Sequence, residues 1–231
     1  MTGVYIISAP SGSGKSTLVG NVRRAVPGLE FSISYTTRPP RGNEQSGREY
    51  FFISRGEFEA MVRRDEFLEH ANVFGNYYGT ARRFLREAKE KGHDLLLDID
   101  VQGAQQIKQK LPEAVSVFIL PPDRQTLERR LRDRGLDSEE VICRRLDTAT
   151  REIENYSKYD YILVNDRLEE STESLRSVLL AERWKRSRDP QSAAENEVLA
   201  RAERCRLANA RERVQPILDS FRRRNGAKGG E

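Results

Sequence analysis

Apolar residues along this chain alternate between two patterns. Short, mostly apolar runs occupy 4–8, 94–99, 115–120 and 161–164 and predict buried strands, and 29–33 reads as a further short strand. Stretches of helical period separate most of them. One runs from Lys15 to about Ala25 and stops at Pro27-Gly28. Another follows residue 100 to about Lys110 and stops before Pro112. A third starts at Asp123 and ends at Gly135, a fourth runs from Ser138 to about Tyr156, and a fifth from about Leu168 to Arg188. Strands alternating with helices predict an α/β fold with a parallel sheet.

The interval from about 34 to 90 breaks that rhythm. Residues 37–47 are polar and carry Pro39, Pro40, Gly42 and Gly47, which predicts a loop or an irregular edge. Residues 49–53 and 67–73 are strand-like. Ser54 and Glu57 have capping-box spacing at the head of a helix reaching about Arg64. Gly75-Asn76 predicts a turn, and Thr80 a cap for a helix that ends before Gly92. The interval therefore reads as an insertion into the sheet.

The 231 residues carry a formal charge of +4. Residues 185–231 hold twelve basic and seven acidic residues, a net of +5. The rest holds twenty-eight basic and twenty-nine acidic, or −1. The basicity thus belongs to the tail and says nothing about the main domain's partners. No stretch has the length of apolar sequence that a membrane helix needs, and the N-terminal run lacks the basic start of a signal peptide. Cys143 and Cys205 stand far apart and read as reduced thiols of a cytoplasmic protein. His70 and His93 are too few for a histidine metal site and read as structural.

Chemistry concentrates at two places in the strand pattern. Ala9-Pro10-Ser11-Gly12-Ser13-Gly14-Lys15-Ser16 has phosphate-loop spacing, with Ala in place of the first Gly, between a predicted strand and a helix that continues with Thr17. Small residues let backbone N–H groups face a polyphosphate, and the helix N-terminus adds positive potential. Lys15 would meet the β- and γ-phosphates, and the Ser16 hydroxyl would ligate Mg²⁺. The run 95–97 ends in Asp98, Ile99 and Asp100. Asp98 is placed to hold Mg²⁺ directly or through water. Asp100 lies on the same side if the strand persists, or caps the next helix. These motifs imply a magnesium–nucleotide site without naming the acceptor.

Further candidates lie in the insertion. Arg38 and Arg41 sit on a proline-stiffened loop suited to phosphate, or to a merely solvated basic loop. Tyr50, Tyr78, Glu69 and the turn 75–80 add hydrogen-bonding groups.

Taken together, residues 34–41, Gly47-Arg48-Glu49-Tyr50, Glu69, 75–80, 97–100, the phosphate loop and the basic stretch 127–135 resemble the guanylate kinase family over about residues 3–188. The resemblance implies a phosphate-loop parallel-sheet core (1–33 and 92–188), a small α+β insertion for GMP (about 34–91) and a helical lid (about 123–150). It also implies roles. Ser34, Glu69, Thr80 and Asp100 would surround guanine, with Asp98 close by. Arg38, Arg41, Tyr50 and Tyr78 would hold the GMP phosphate. Arg130, Arg134 and Arg145 would be lid arginines facing phosphates, and Asn165, with Asp166, would lie near the adenine of ATP. The expected reaction is ATP + GMP → ADP + GDP with Mg²⁺. The acceptor phosphate is mostly ionised at neutral pH, so no general base is expected. A non-catalytic binding module would show a damaged phosphate loop or lack the carboxylate at residue 98; a kinase of another small phosphorylated acceptor would lack Glu69 beside Ser34 and Thr80.

The charged extension 189–231 carries none of these motifs, and the chemistry is expected not to need it. Leu207, Ala210, Val214, Leu218 and Phe221 recur at helical spacing, and Pro216 should kink or end that helix. A solvated extension, a docked helix and a homo-oligomer contact all stay open. Interspersed acids and scarce aromatics argue against nucleic acid.

Overall fold

Strand β1, Val4–Ser8, is buried at all five positions, as an apolar β-branched run inside a parallel sheet should be. The computed structural model describes residues 2–73, 75–133, 135, 138–187 and 193–222. Its larger sheet has the order β2-β7-β1-β8-β9, with β2 at Leu29–Ser32, β7 at Asp94–Asp98, β8 at Val115–Leu120 and β9 at Tyr161–Val164. The pairs β2/β7 and β8/β9 are parallel. Compactness divides the chain into two units, Met1–Ile6 with Pro27–Val115 and Ile7–Val26 with Ser116–Glu231.

In the first unit, a second sheet of order β4-β3-β6-β5 forms from β3 (Tyr35–Thr36), β4 (Phe51–Phe52), β5 (Phe67–Val73) and β6 (Asn76–Ala81). Helix α2, Arg55–Arg63, begins at the capping box predicted for Ser54 and Glu57. Its Phe58 stacks on Phe67 and Tyr77 at ring centroids of 4.6 and 5.3 Å, giving the insertion its own small core. Helices α3 (Arg82–Lys91) and α4 (Val101–Lys110) complete this unit.

Two expectations change here. Thr80 is not a helix cap. Pairing of β6 with β5 continues through Ala81, which keeps Thr80 extended, and Ala81 precedes α3 with no side-chain cap. The strand carrying Asp98 does not persist to Asp100. Asp100 instead caps α4, accepting from the Gly103 amide at 2.8 Å, so period-two geometry does not relate the two carboxylates.

In the second unit, α1 (Lys15–Ala25), α5 (Arg124–Asp133), α6 (Glu139–Ile153) and α7 (Leu168–Ser187) accompany β8 and β9. Helix α6 stops three residues earlier than expected and a 3-10 turn covers Tyr156–Lys158. Two more helices follow, α8 (Ala193–Cys205) and α9 (Leu207–Arg222). Of the readings open for the extension, the structure shows docking. Ala210, Val214, Ile217, Leu218 and Phe221 are buried, and Arg206 forms an antiparallel bridge with Tyr161 of β9. Glu182 of α7 accepts from Tyr161, Lys185 and Arg206, joining three segments at one carboxylate. Burial would raise the Glu182 pKa, but Lys185, Tyr161 and Arg206 outweigh it and hold the carboxyl below its usual value.

Pro216 does not end α9. It lies with Glu212 on the exposed side, where water can take the carbonyl that the missing N–H leaves, while the buried face holds the helix. Among the described residues no helix is long and apolar enough to cross a membrane.

Candidate active site

The phosphate loop of the second unit follows from its glycines. Gly12 and Gly14 have φ of 93° and 86°, a left-handed backbone that other residues rarely adopt. Gly14 precedes α1 without offering a side chain to cap it, and the first turn of α1 has no acidic residue. No acidic side chain of that turn therefore offsets the positive end of the helix. Lys15 starts the helix, and the Ser16 and Thr17 side chains are exposed. The Ser13 amide closes onto the Pro10 carbonyl at 3.1 Å. The Ser13 hydroxyl is buried with no hydrogen-bond partner among the described residues, a donor in want of an acceptor. Ala9, Pro10 and Ser11 complete the loop, with Pro10 buried and Ser11 exposed.

Two close approaches brace this loop. A Cβ at Gly14 would stand 2.3 Å from Asn165 Nδ2, and that amide donates to the Ser13 carbonyl at 2.7 Å. A Cβ at Gly12 would stand 2.9 Å from Leu127 and 3.0 Å from Leu131, both on α5. Arg130, also on α5, donates to the Asn165 carbonyl at 3.0 Å. Asn165 thus spends its amide on the loop.

The first unit gathers the predicted acceptor residues. Glu69 of β5 is paired in register with Thr80 of β6, and they are 3% and 0% exposed. Burial pushes the Glu69 carboxyl up to about 7; Thr80 opposes this, Asp100 adds to it and Lys110 opposes it. The Thr80 hydroxyl is close enough to favour the charged carboxylate yet makes no hydrogen bond of ordinary geometry. Gly103 of α4 permits the approach of helix and carboxylate. A Cβ there would lie 2.5 Å from Glu69 Oε2 and 3.4 Å from Asp100 Oδ1. Ser34 is buried between β2 and β3, and its carbonyl accepts from Phe51.

The strand flanks of Glu69 are both tied to α4. Lys110 Nζ donates to the Leu68 carbonyl at 2.6 Å, and Gln106 meets the His70 N–H and carbonyl at 3.2 and 2.8 Å. Arg38 is 7% exposed and holds Glu44 through both carboxylate oxygens, at 3.0 and 2.9 Å. Burial works against its charge, but Glu44 outweighs burial and raises its pKa. The Arg41 amide donates to the same carboxylate at 2.8 Å, while its side chain is exposed. Tyr50 meets Tyr78 edge-on at 5.8 Å and lies 5.3 Å under the Arg38 guanidinium.

The guanylate kinase family profile matches residues 1–182. The chain belongs to the guanylate kinase family. The guanylate kinase of Koribacter versatilis (strain Ellin345) is 60% identical over 222 residues, 95% of either chain. That of Escherichia coli (strain K12) is 50% identical over 190 residues, covering 81% of this chain and 92% of its own. A crystal structure of guanylate kinase from Anaplasma phagocytophilum aligns with a TM-score of 0.64 and 35% identity, over 78% of this chain and 86% of that one.

Within this family member the remaining candidates fall as follows. Ser34, Arg38, Tyr50, Glu69, Tyr78, Thr80, Asp98 and Asp100 all belong to the first unit, with Arg41 on its exposed loop. Residues 9–17, Arg130, Arg145 and Asn165 belong to the second. Arg145 is half-buried on α6, and Arg134 lies outside the described residues. Asp98 ends β7 partly exposed. Sequence reasoning did not single out Glu44, Gly103, Gln106 or Lys110. Only Glu44, three residues past Arg41 on the same loop, left a local signal.

Proposed function

We propose that this protein phosphorylates GMP to GDP with ATP as donor, by direct in-line transfer assisted by Mg²⁺. The observation that carries this reading is the buried Glu69 beside the unsatisfied Thr80 hydroxyl. Guanine presents N1–H and a 2-amino group side by side, which one carboxylate accepts together, and its O6 accepts from a hydroxyl. Adenine would leave Glu69 buried and unpaired.

The other roles follow from charge and position. Arg38, aided by Arg41, Tyr50 and Tyr78, suits the GMP phosphate. Glu44 and the Pro39 carbonyl hold the Arg38 guanidinium before the substrate arrives, so little rotamer freedom is lost on binding. The phosphate loop, Lys15 and the N-terminus of α1 suit the β- and γ-phosphates of ATP, and the buried Ser13 hydroxyl gains an acceptor there. Arg130, Arg134 and Arg145 are proposed to add positive charge around the transferred group.

The exposed Ser16 hydroxyl and the Asp98 carboxylate are hard oxygen donors, the kind Mg²⁺ takes alongside phosphate oxygens and water. Bound there, Mg²⁺ would neutralise phosphate charge and orient the γ-phosphoryl group. With the acceptor oxygen already ionised, the side chains align two polyanions and screen their repulsion.

The test is product analysis. ATP, GMP and Mg²⁺ incubated with the protein should yield ADP and GDP in equal amounts, and ATP should persist when GMP is omitted. ADP without GDP would overturn the reading.

A further inference from the structure

Helices α8 and α9 lie beyond residue 182, where the family match ends. Their docking is specific in one respect that packing alone does not require. The first turn of a helix has amides with no partner inside it. In α5, Asp123 accepts from the Thr126 amide at 2.6 Å, which leaves the Arg124 and Gln125 amides to find acceptors outside the helix. Ser220 of α9 takes that of Arg124, with Oγ accepting at 3.1 Å while its own proton goes to the Ile217 carbonyl at 2.6 Å. A residue ninety-six positions away thus takes part in the cap of α5.

Helix α5 is also the element that braces the phosphate loop. Leu127 and Leu131 are fully buried and leave no room for a Cβ at Gly12. Arg130 holds the Asn165 carbonyl, and Asn165 holds Ser13. We infer that Ser220 is a positioning residue for the ATP site: α9 anchors the start of α5, and α5 sets the conformation of the phosphate loop. The extension then serves the donor half of the reaction without touching a substrate. The mention of ATP rests on the proposed function; the mechanical link does not.

The experiment uses the full chain with Ser220→Ala, Ser220→Thr and Arg124→Pro. Proline is tolerated at the first helical position and deletes the amide that Ser220 meets. Ser220→Ala should raise the KM for ATP about fivefold, the size of a typical lost cap, with the KM for GMP within about twofold. Ser220→Thr should restore the parent value. In the Arg124→Pro background, Ser220→Ala should add nothing. Hydrogen exchange without nucleotide gives the activity-free readout: the Ser13 amide should exchange faster in Ser220→Ala. Unchanged exchange at Ser13, an unchanged KM for ATP, or a parallel rise for GMP would overturn the inference. A parent protein that makes no GDP would instead sink the functional reading, and the exchange result would still decide the link.

Discussion

Replacing Lys15 by alanine should lower turnover about a thousandfold, the scale seen when one preorganised charge on a transferring phosphoryl group is removed. GMP binding should stay near the parent value. Lys15 begins α1 in the second unit, whereas Ser34, Arg38, Tyr50, Glu69, Tyr78 and Thr80 all belong to the first. A steady-state assay gives turnover, and calorimetric titration with GMP alone gives the acceptor affinity. Near-normal turnover would refute the role of Lys15. Loss of GMP affinity in step with turnover would show that the two halves do not divide as proposed.

Glu69→Gln should have two effects of opposite sign. The first is on selectivity. A glutamine amide accepts through one oxygen only, and its NH₂ would face a guanine donor. The preference in kcat/KM for GMP over AMP should fall by roughly 1–3 kcal/mol, or about ten- to a hundredfold. The second is on the empty protein. The Glu69 carboxyl has a folded value of about 7 against an ordinary 4.5, because burial disfavours its charge. The folded state therefore binds the extra proton between those values. Stability falls as pH rises from 4.5 to 7 and stays reduced above it, by an amount on the order of 3 kcal/mol for a group so buried. Glutamine carries no charge to desolvate. Denaturant unfolding without nucleotide should show Glu69→Gln more stable than the parent at pH 8 and no more stable at pH 4.5. Equal stability at both pH values would mean that Glu69 is not held neutral by burial, and an unchanged GMP/AMP ratio would remove it as the reader of the base.

If both effects are found, their opposition would explain why a carboxylate stands at such a place. On the proposed reading, guanine would supply the two donors that repay its desolvation, so the same residue would destabilise the empty site and select the ligand.

Much of this was legible along the chain because the signals were local. The phosphate loop needs eight consecutive residues, the Ser54–Glu57 box four, and most of the buried strands are largely apolar runs. The insertion was harder to read. β3 and β6 are made of Tyr, Thr, Gly, Asn and a single Ala, which lack alternation and owe their strand form to pairing partners. Thr80 looks like a cap by residue type but is extended because β5 lies alongside. Asp100 had two open readings, and only the end of β7 at Asp98 decides between them. Gly103, Gln106, Lys110 and Ser220 act on residues 34 to 96 positions away, and nothing within a local window distinguishes them. The tail stayed open for a different reason. Its net charge is compatible with solvation and its helical spacing with docking; of the five positions read from that spacing, Ala210, Val214, Leu218 and Phe221 are buried, Leu207 is only partly so, and Ile217 joins them.

The central claim is that this pocket selects guanine, and a panel of acceptors tests it most directly. GMP, AMP, UMP and CMP should be offered at equal concentration with ATP and Mg²⁺ in a coupled assay that reads ADP and is blind to the base. GMP should support turnover with kcat/KM at least a hundredfold above each of the others. Comparable turnover with AMP, or a preference for a pyrimidine nucleotide, would contradict the assignment of Glu69 and Thr80 to guanine and with it the proposed reaction.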